Sequence, residues 1–148
     1  MDTQEKSVMV ALLPMTEEWS KVEFPHLTLV YAGEIDDLKQ TLFNTLVKEV
    51  SSLSILSNPI HVKVTGIEVF GDDNEQVDVL RISPTSELLA LRTFLEDWDK
   101  GEFPVFKPHV TIGPANGVYD FPLPMMISFD RIMVGWGETK IIFWLRRY

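Results

Sequence analysis

At 148 residues, 45% of them apolar, the chain holds enough material for one compact domain with its own core. Its 13 Lys and Arg stand against 22 Asp and Glu, a formal charge of −9. That balance excludes the broad basic face of a long nucleic-acid track but leaves room for a local pocket that takes one or two phosphates. The absence of cysteine removes disulfides, thiolate metal sites and cysteine nucleophiles together, and agrees with a cytoplasmic setting.

Asp2, Gln4, Glu5 and Lys6 open the sequence, not a basic stretch ahead of an apolar run, so no signal peptide is expected. No apolar stretch nears the roughly 20 residues of a spanning helix, and no membrane partner is expected either. The run Val8 to Leu13 reads as a buried strand stopped by Pro14. Thr16 to Glu23 is a polar loop holding Trp19, and Phe24 to Tyr31 is a second strand closed by Ala32-Gly33. Leu38, Leu42, Leu46 and Val50, at steps of four, predict a helix over residues 35–53. Asn58-Pro59 breaks the chain before a strand from Ile60 to Phe70. Gly71-Asp72-Asp73-Asn74 is turn chemistry, which makes that strand and Val77 to Ile82 a hairpin.

Ser83-Pro84-Thr85 leads into a second helix with Leu88, Leu91, Leu95 and Trp98 on its apolar face and Lys100-Gly101 at its end. Phe106 to Gly113 is a short strand, followed by a loop rich in Pro and Gly to Pro124. Met125-Met126 reads as core filling. The last strands, Ile127 to Trp136 and Lys140 to Arg146, meet at Gly137-Glu138. The order amounts to two similar halves of strand, strand, helix, strand. It predicts an α+β fold with helices on one sheet face and the other face open.

The two halves echo each other most closely in Pro25-His26-Leu27-Thr28 and Pro108-His109-Val110-Thr111. On a strand, His and Thr two residues apart share a face, while Leu27, Leu29, Val110 and Ile112 point the other way. Two such units among three histidines, each behind a Pro and each in an apolar strand, exceed chance by roughly a few orders of magnitude. Imidazoles with an ordinary pKa near 6.5 suit paired acid–base work: one takes a proton from an attacking hydroxyl or water, the other gives one to the leaving oxygen. Thr28 and Thr111 can donate to the non-bridging phosphate oxygens, where charge builds. Which histidine is the base is left open by the near-symmetry.

These two His-x-Thr motifs, with Leu29-Val30-Tyr31-Ala32-Gly33 after the first, resemble the two-histidine phosphoesterases, also called LigT-like or 2′-5′ RNA ligase-like. The resemblance covers the whole chain in length and strand order. It implies His26 and His109 as acid and base, Thr28 and Thr111 as phosphate-binding residues, and no metal or other cofactor. It also implies a bilobal fold, two pseudo-symmetric antiparallel sheets forming a central groove with helices on the outer faces. Family substrates are 2′,3′-cyclic phosphates, 2′-5′ or 3′-5′ linkages and cyclic-nucleotide signals. The short chain, with its Val8-to-Pro14 opening and Trp19 loop, looks most similar to phage-encoded members, some of them similar to anti-CBASS nucleases that destroy host cyclic-nucleotide alarms.

Other residues are candidates for binding the substrate. In the last strand Ile141, Phe143 and Leu145 form one face, and Glu138, Lys140, Ile142, Trp144 and Arg146 the other. With the apolar set packed, Trp144 can stack on a base, Glu138 read a base edge, and Lys140 or Arg146 attract phosphate; packing of Trp144 on a neighbour is the plainer alternative. Trp19 either covers a ligand or anchors its loop. Arg81 either lines the groove or makes a surface ion pair. His61, alternating with Lys63 and Thr65, has no motif around it and reads as structural or solvated. The histidines lack metal-ligand spacing, and neither a phosphate loop nor a nucleophile elbow is present. The leading function is therefore a metal-independent phosphodiesterase for a small nucleotide, such as a cyclic oligonucleotide. The alternatives are action on RNA ends bearing a 2′,3′-cyclic phosphate or 2′-5′ linkage, and a sponge that binds a nucleotide without cutting it.

Overall fold

A computed structural model describes residues 6–71, 74–101, 105–119 and 122–146. Its elements are β1 (Ser7–Pro14), β2 (Leu27–Glu34), α1 (Gln40–Leu56), β3 (Ile60–Gly71), β4 (Gln76–Ser83), α2 (Ser86–Leu95), β5 (His109–Pro114), β6 (Met126–Trp136) and β7 (Thr139–Trp144). Short 3-10 turns occupy Ile35–Asp37 and Glu96–Trp98. The expected turn residues Asp72 and Asp73 lie outside the described residues.

Strand pairing is antiparallel throughout, in the order β2-β1-β6-β3-β4-β5, with β7 also on β6. The α+β antiparallel architecture expected from the sequence is present, but its lobes are not consecutive halves of the chain. The first lobe is β2, β1, β7 and the C-terminal part of β6; the second is β3, β4 and β5. Phe129 of β6 pairs with Pro14 of β1 and with Ile60 of β3, so both lobes hang on this one strand. The two sheets are therefore one hydrogen-bonded surface, folded so that its outer strands, β2 and β5, come into contact distance.

Alternation explains what is buried. Val8, Val10 and Leu12 of β1 enter the main core with Leu27, Leu29, Val110, Ile112, Ile132 and Val134, while Ala11 and Leu13 form a smaller cluster on the other face with Met133, Met9 and Phe24. α1 covers β6 and β7, with Phe43 against Trp136 at 4.2 Å between centroids. α2 packs against β2, and its first turn is capped by Thr85, whose hydroxyl accepts from Leu88 N–H at 3.2 Å.

Three local expectations need correction. α1 begins at Gln40, after the 3-10 turn, and its buried stripe is Phe43, Leu46, Val50 and Leu53, leaving Leu42 46% exposed. Steps of four drift off the 3.6-residue turn, so a straight row of Leu cannot stay on the buried face. Ala32 and Gly33 do not close β2 but lie inside it. Gly33 takes φ 104° opposite Val8, where the register shifts, the bulge a glycine permits. Met125 and Met126 are 79% and 62% exposed at the open start of β6 rather than in the core. Among the described residues no helix is long and apolar enough to cross a membrane.

Candidate active site

His26 stands just ahead of β2 and His109 is the first residue of β5, so each of the two outer strands carries one motif at its start. Each ring is fixed in the same way. His26 Nδ1 lies 2.9 Å from the carbonyl of Phe24, and His109 Nδ1 lies 2.8 Å from that of Lys107. A carbonyl only accepts, so Nδ1 carries the hydrogen in both, and Nε2 is the nitrogen available for proton exchange. Leu27 and Leu29 sink into the core while Thr28 between them is half-buried; Val110 and Ile112 do the same around Thr111.

A cleft of about 780 Å³ runs between the lobes, lined by His26, Thr111, Phe24, Glu75, Glu138 and Lys140 among others. It brings one residue of each motif together with Glu138 and Lys140 from the candidate substrate-binding set. Thr28 and His109 are not on its lining: Thr28 is half-buried on β2, and the His109 ring packs on Phe70 at 4.7 Å between centroids. Burial holds the pKa of His26 below its ordinary 6.5, against the upward pull of the Phe24 carbonyl, and the nearby His109 and Lys140 lower it further. His109 is therefore near enough to His26 for its charge to bear on that ring. Lys140 itself is held over the Phe24 ring, 4.9 Å from its centroid.

The remaining candidates divide. Trp144 is 53% exposed on the same face of β7 as Lys140, with the Arg131 guanidinium 5.6 Å from its ring centroid. Trp19 is buried in the main core and so anchors its loop; a large indole ahead of a strand finds more area to bury below the loop than above it. Arg81 is the ladder partner of His109 but is drawn to Glu68 at 3.5 Å, both exposed, the ion-pair alternative. Arg146 meets Ser57 through its backbone N–H. His61 is exposed, with Nδ1 2.6 Å from Ser128 Oγ. Among the described residues no group of three or more His, Asp or Glu is gathered to hold a metal ion.

Sequence reasoning missed Phe24, Phe70 and Glu75. Phe24 is adjacent to the first tetrad and could have been read as part of it. Phe70 reaches His109 only because β3 and β5 flank β4, which no local pattern reports.

The profile of the 2′-5′ RNA ligase superfamily matches residues 17–126, a span holding both His-x-Thr units, and the chain belongs to that superfamily. No curated protein matches it in sequence. Its fold is similar to Usb1 of Kluyveromyces marxianus, with a TM-score of 0.66, 10% identity, and coverage of 97% of this chain and 100% of that one. TT0787 of Thermus thermophilus gives 0.63 at 14% identity over 96% of both chains. LigT of E. coli, in a crystal structure complexed with 3′-AMP, gives 0.52 at 15% identity over 97% and 96%.

Proposed function

We propose that this chain is a metal-independent phosphodiesterase that cleaves a small nucleotide ester with His26 and His109 as its acid–base pair. The observation that carries this is the matched tethering of the two imidazoles on converging outer strands, each Nδ1–H spent on a carbonyl so that each Nε2 is left for chemistry. In a 3′-5′ diester one Nε2 removes the ribose 2′-OH proton, the 2′-oxygen attacks phosphorus, and the other histidine protonates the departing 5′-oxygen. The products are a 2′,3′-cyclic phosphate and a free 5′-OH. In a 2′,3′-cyclic ester water takes the attacking role. Thr111 and Thr28 donate to the non-bridging oxygens. Lys140 supplies positive charge in the cleft, Glu138 accepts from a base edge and Trp144 stacks on a base. Since the pair comes from both lobes, the whole chain acts as one catalytic domain.

The substrate we favour is a cyclic di- or oligonucleotide signal met in the cytoplasm, the host's if a phage encodes the protein, as in anti-CBASS nucleases. A cleft of about 780 Å³ and a net charge of −9 suit a small ligand over a polymer. The binding of 3′-AMP by LigT, a product-like nucleotide, favours a second reading, action on RNA ends bearing a cyclic phosphate or a 2′-5′ linkage. Incubation with cyclic dinucleotides, linear 3′-5′ and 2′-5′ dinucleotides and nucleoside 2′,3′-cyclic phosphates, with and without EDTA, followed by product chromatography, separates these. Chelator-sensitive turnover contradicts the mechanism. Thermal stabilisation by a nucleotide with no product identifies a sponge.

A further inference from the structure

The segment that delivers His26 is fastened not to its own strand but to the strand of the other motif. Lys21 N–H donates to the carbonyl of Ile112 at 2.8 Å, one residue past Thr111 on the free edge of β5. Next to it Val22 N–H donates to Ser20 Oγ at 3.1 Å and Ser20 Oγ donates back to the Val22 carbonyl at 3.3 Å, which fixes the turn. Gly113 makes the close approach possible: a Cβ there would meet the Tyr119 hydroxyl at 3.3 Å and Lys21 Cβ at 3.4 Å. The Lys21 ammonium lies over the Tyr119 ring, 4.8 Å from its centroid. The Tyr119 hydroxyl donates to buried Asp78 at 2.8 Å, and Asp78 also accepts from the Asn116 and Gly117 N–H groups at 2.9 and 3.0 Å. Beyond Lys21, residues Val22 to Phe24 line the cleft, and the Phe24 carbonyl holds His26.

We propose that Lys21 is a positioning residue: by docking residues 20–24 on β5 it sets where His26 stands relative to Thr111 and shields the imidazole from water. This rests on the phosphodiesterase reading. The contacts run from Asp78 on β4 through Tyr119 and Lys21 to Phe24 and His26, so both motifs are referred to one rigid anchor. A tie that merely stabilised the loop would leave the environment of His26 untouched. The charged groups facing His26 are His109 of β5 and Lys140 of β7, and Glu23, Glu75 and Glu138 line the same cleft. Because burial is the largest cause of the low pKa of His26, releasing the loop readmits water and raises that pKa toward 6.5.

The test compares Lys21→Pro, which deletes the N–H, with Lys21→Ala, which keeps it, and with Tyr119→Phe, which keeps the ring but not its bond to Asp78. Two readouts are taken: NMR titration of the histidine rings in substrate-free protein, and turnover of a 3′-5′ diribonucleotide. Lys21→Pro should raise the His26 midpoint and lower kcat by about 100-fold with KM within about threefold, the loss expected from a misplacement of order 1 Å. Tyr119→Phe and Lys21→Ala, which each cut the side-chain route to Asp78 but keep the Lys21 N–H, should move both readouts the same way by less. If Lys21→Pro does not fold, Tyr119→Phe decides. An unchanged His26 titration in the folded variants overturns the inference, whatever happens to turnover. Full activity in His26→Ala instead sinks the phosphodiesterase reading and leaves the titration result standing.

Discussion

His26 and His109 are held by one device used twice, a ring Nδ1–H given to the carbonyl two residues upstream. In both cases that carbonyl belongs to the residue before a Pro, whose ring disfavours helical geometry for its predecessor and keeps it extended. The prolines of the two tetrads are thereby explained as parts of the tether.

Removal of either ring should cost chemistry more than stability. His26→Ala and His109→Ala should each lower kcat by about 10²–10⁴, the usual contribution of a positioned acid or base. The midpoint of thermal unfolding should move little for His109, which is half-buried against Phe70. Steady-state turnover beside differential scanning fluorimetry checks both, and a near-normal kcat in either variant would falsify the pairing.

The depressed pKa of His26 has a sign that can be read in stability. Between the folded value and the ordinary 6.5 the unfolded chain binds the extra proton, so stability falls as pH drops through that window and is fully present above it. His26→Gln should therefore lose less stability than wild type between about pH 7.5 and 5. Parallel melting curves at several pH values give the difference. In turnover, the same group should place one limb of a bell-shaped profile below pH 6.5.

Asp78 is a buried carboxylate with three donors on it, Asn116 N–H, Gly117 N–H and the Tyr119 hydroxyl. Burial alone would raise its pKa, but these bonds outweigh it and hold the group below its ordinary value, while the Tyr119 phenol is pushed up to about 12 by burial and by the same bond. Asp78→Ala should destabilise by about 3 kcal/mol, since it strands donors arranged for an anion. Urea unfolding measures this, and a loss under about 1 kcal/mol would mean that the loop repacks without the carboxylate.

Trp144 offers a cleaner separation of binding from folding, because its ring is more than half exposed beside Arg131. Trp144→Ala should raise KM for a nucleotide roughly tenfold or more, the worth of one stacked base, with little change in thermal midpoint. An unchanged KM together with a lowered midpoint would assign the indole to packing.

The legible parts of this fold were those written in local pattern: β1 as a wholly apolar run, the alternation of β7, the helix start after Ser83-Pro84-Thr85, and the doubled tetrads. Leu42 was misread because four-residue spacing imitates a helix stripe without following its turn. Trp19 was ambiguous because loop sequence does not reveal what lies beneath the loop. The exchange of strands between lobes, and with it Phe70 on His109, depends on pairings distant in sequence. The docking of Lys21 on Ile112 is a backbone contact and is invisible to side-chain patterning altogether.

The pairing order has a kinetic corollary. In the sheet β1–β2 and β3–β4–β5 are joined by ladder pairing only through β6, which leaves the ribosome after all of them. During synthesis the inner edges of β1 and β3 stay unpaired until β6 is made, and the sheet that carries both motifs is completed only then. Placement of the two histidines thus depends on a strand made after both motifs, and damage to β6 should disturb them more than its distance from either suggests.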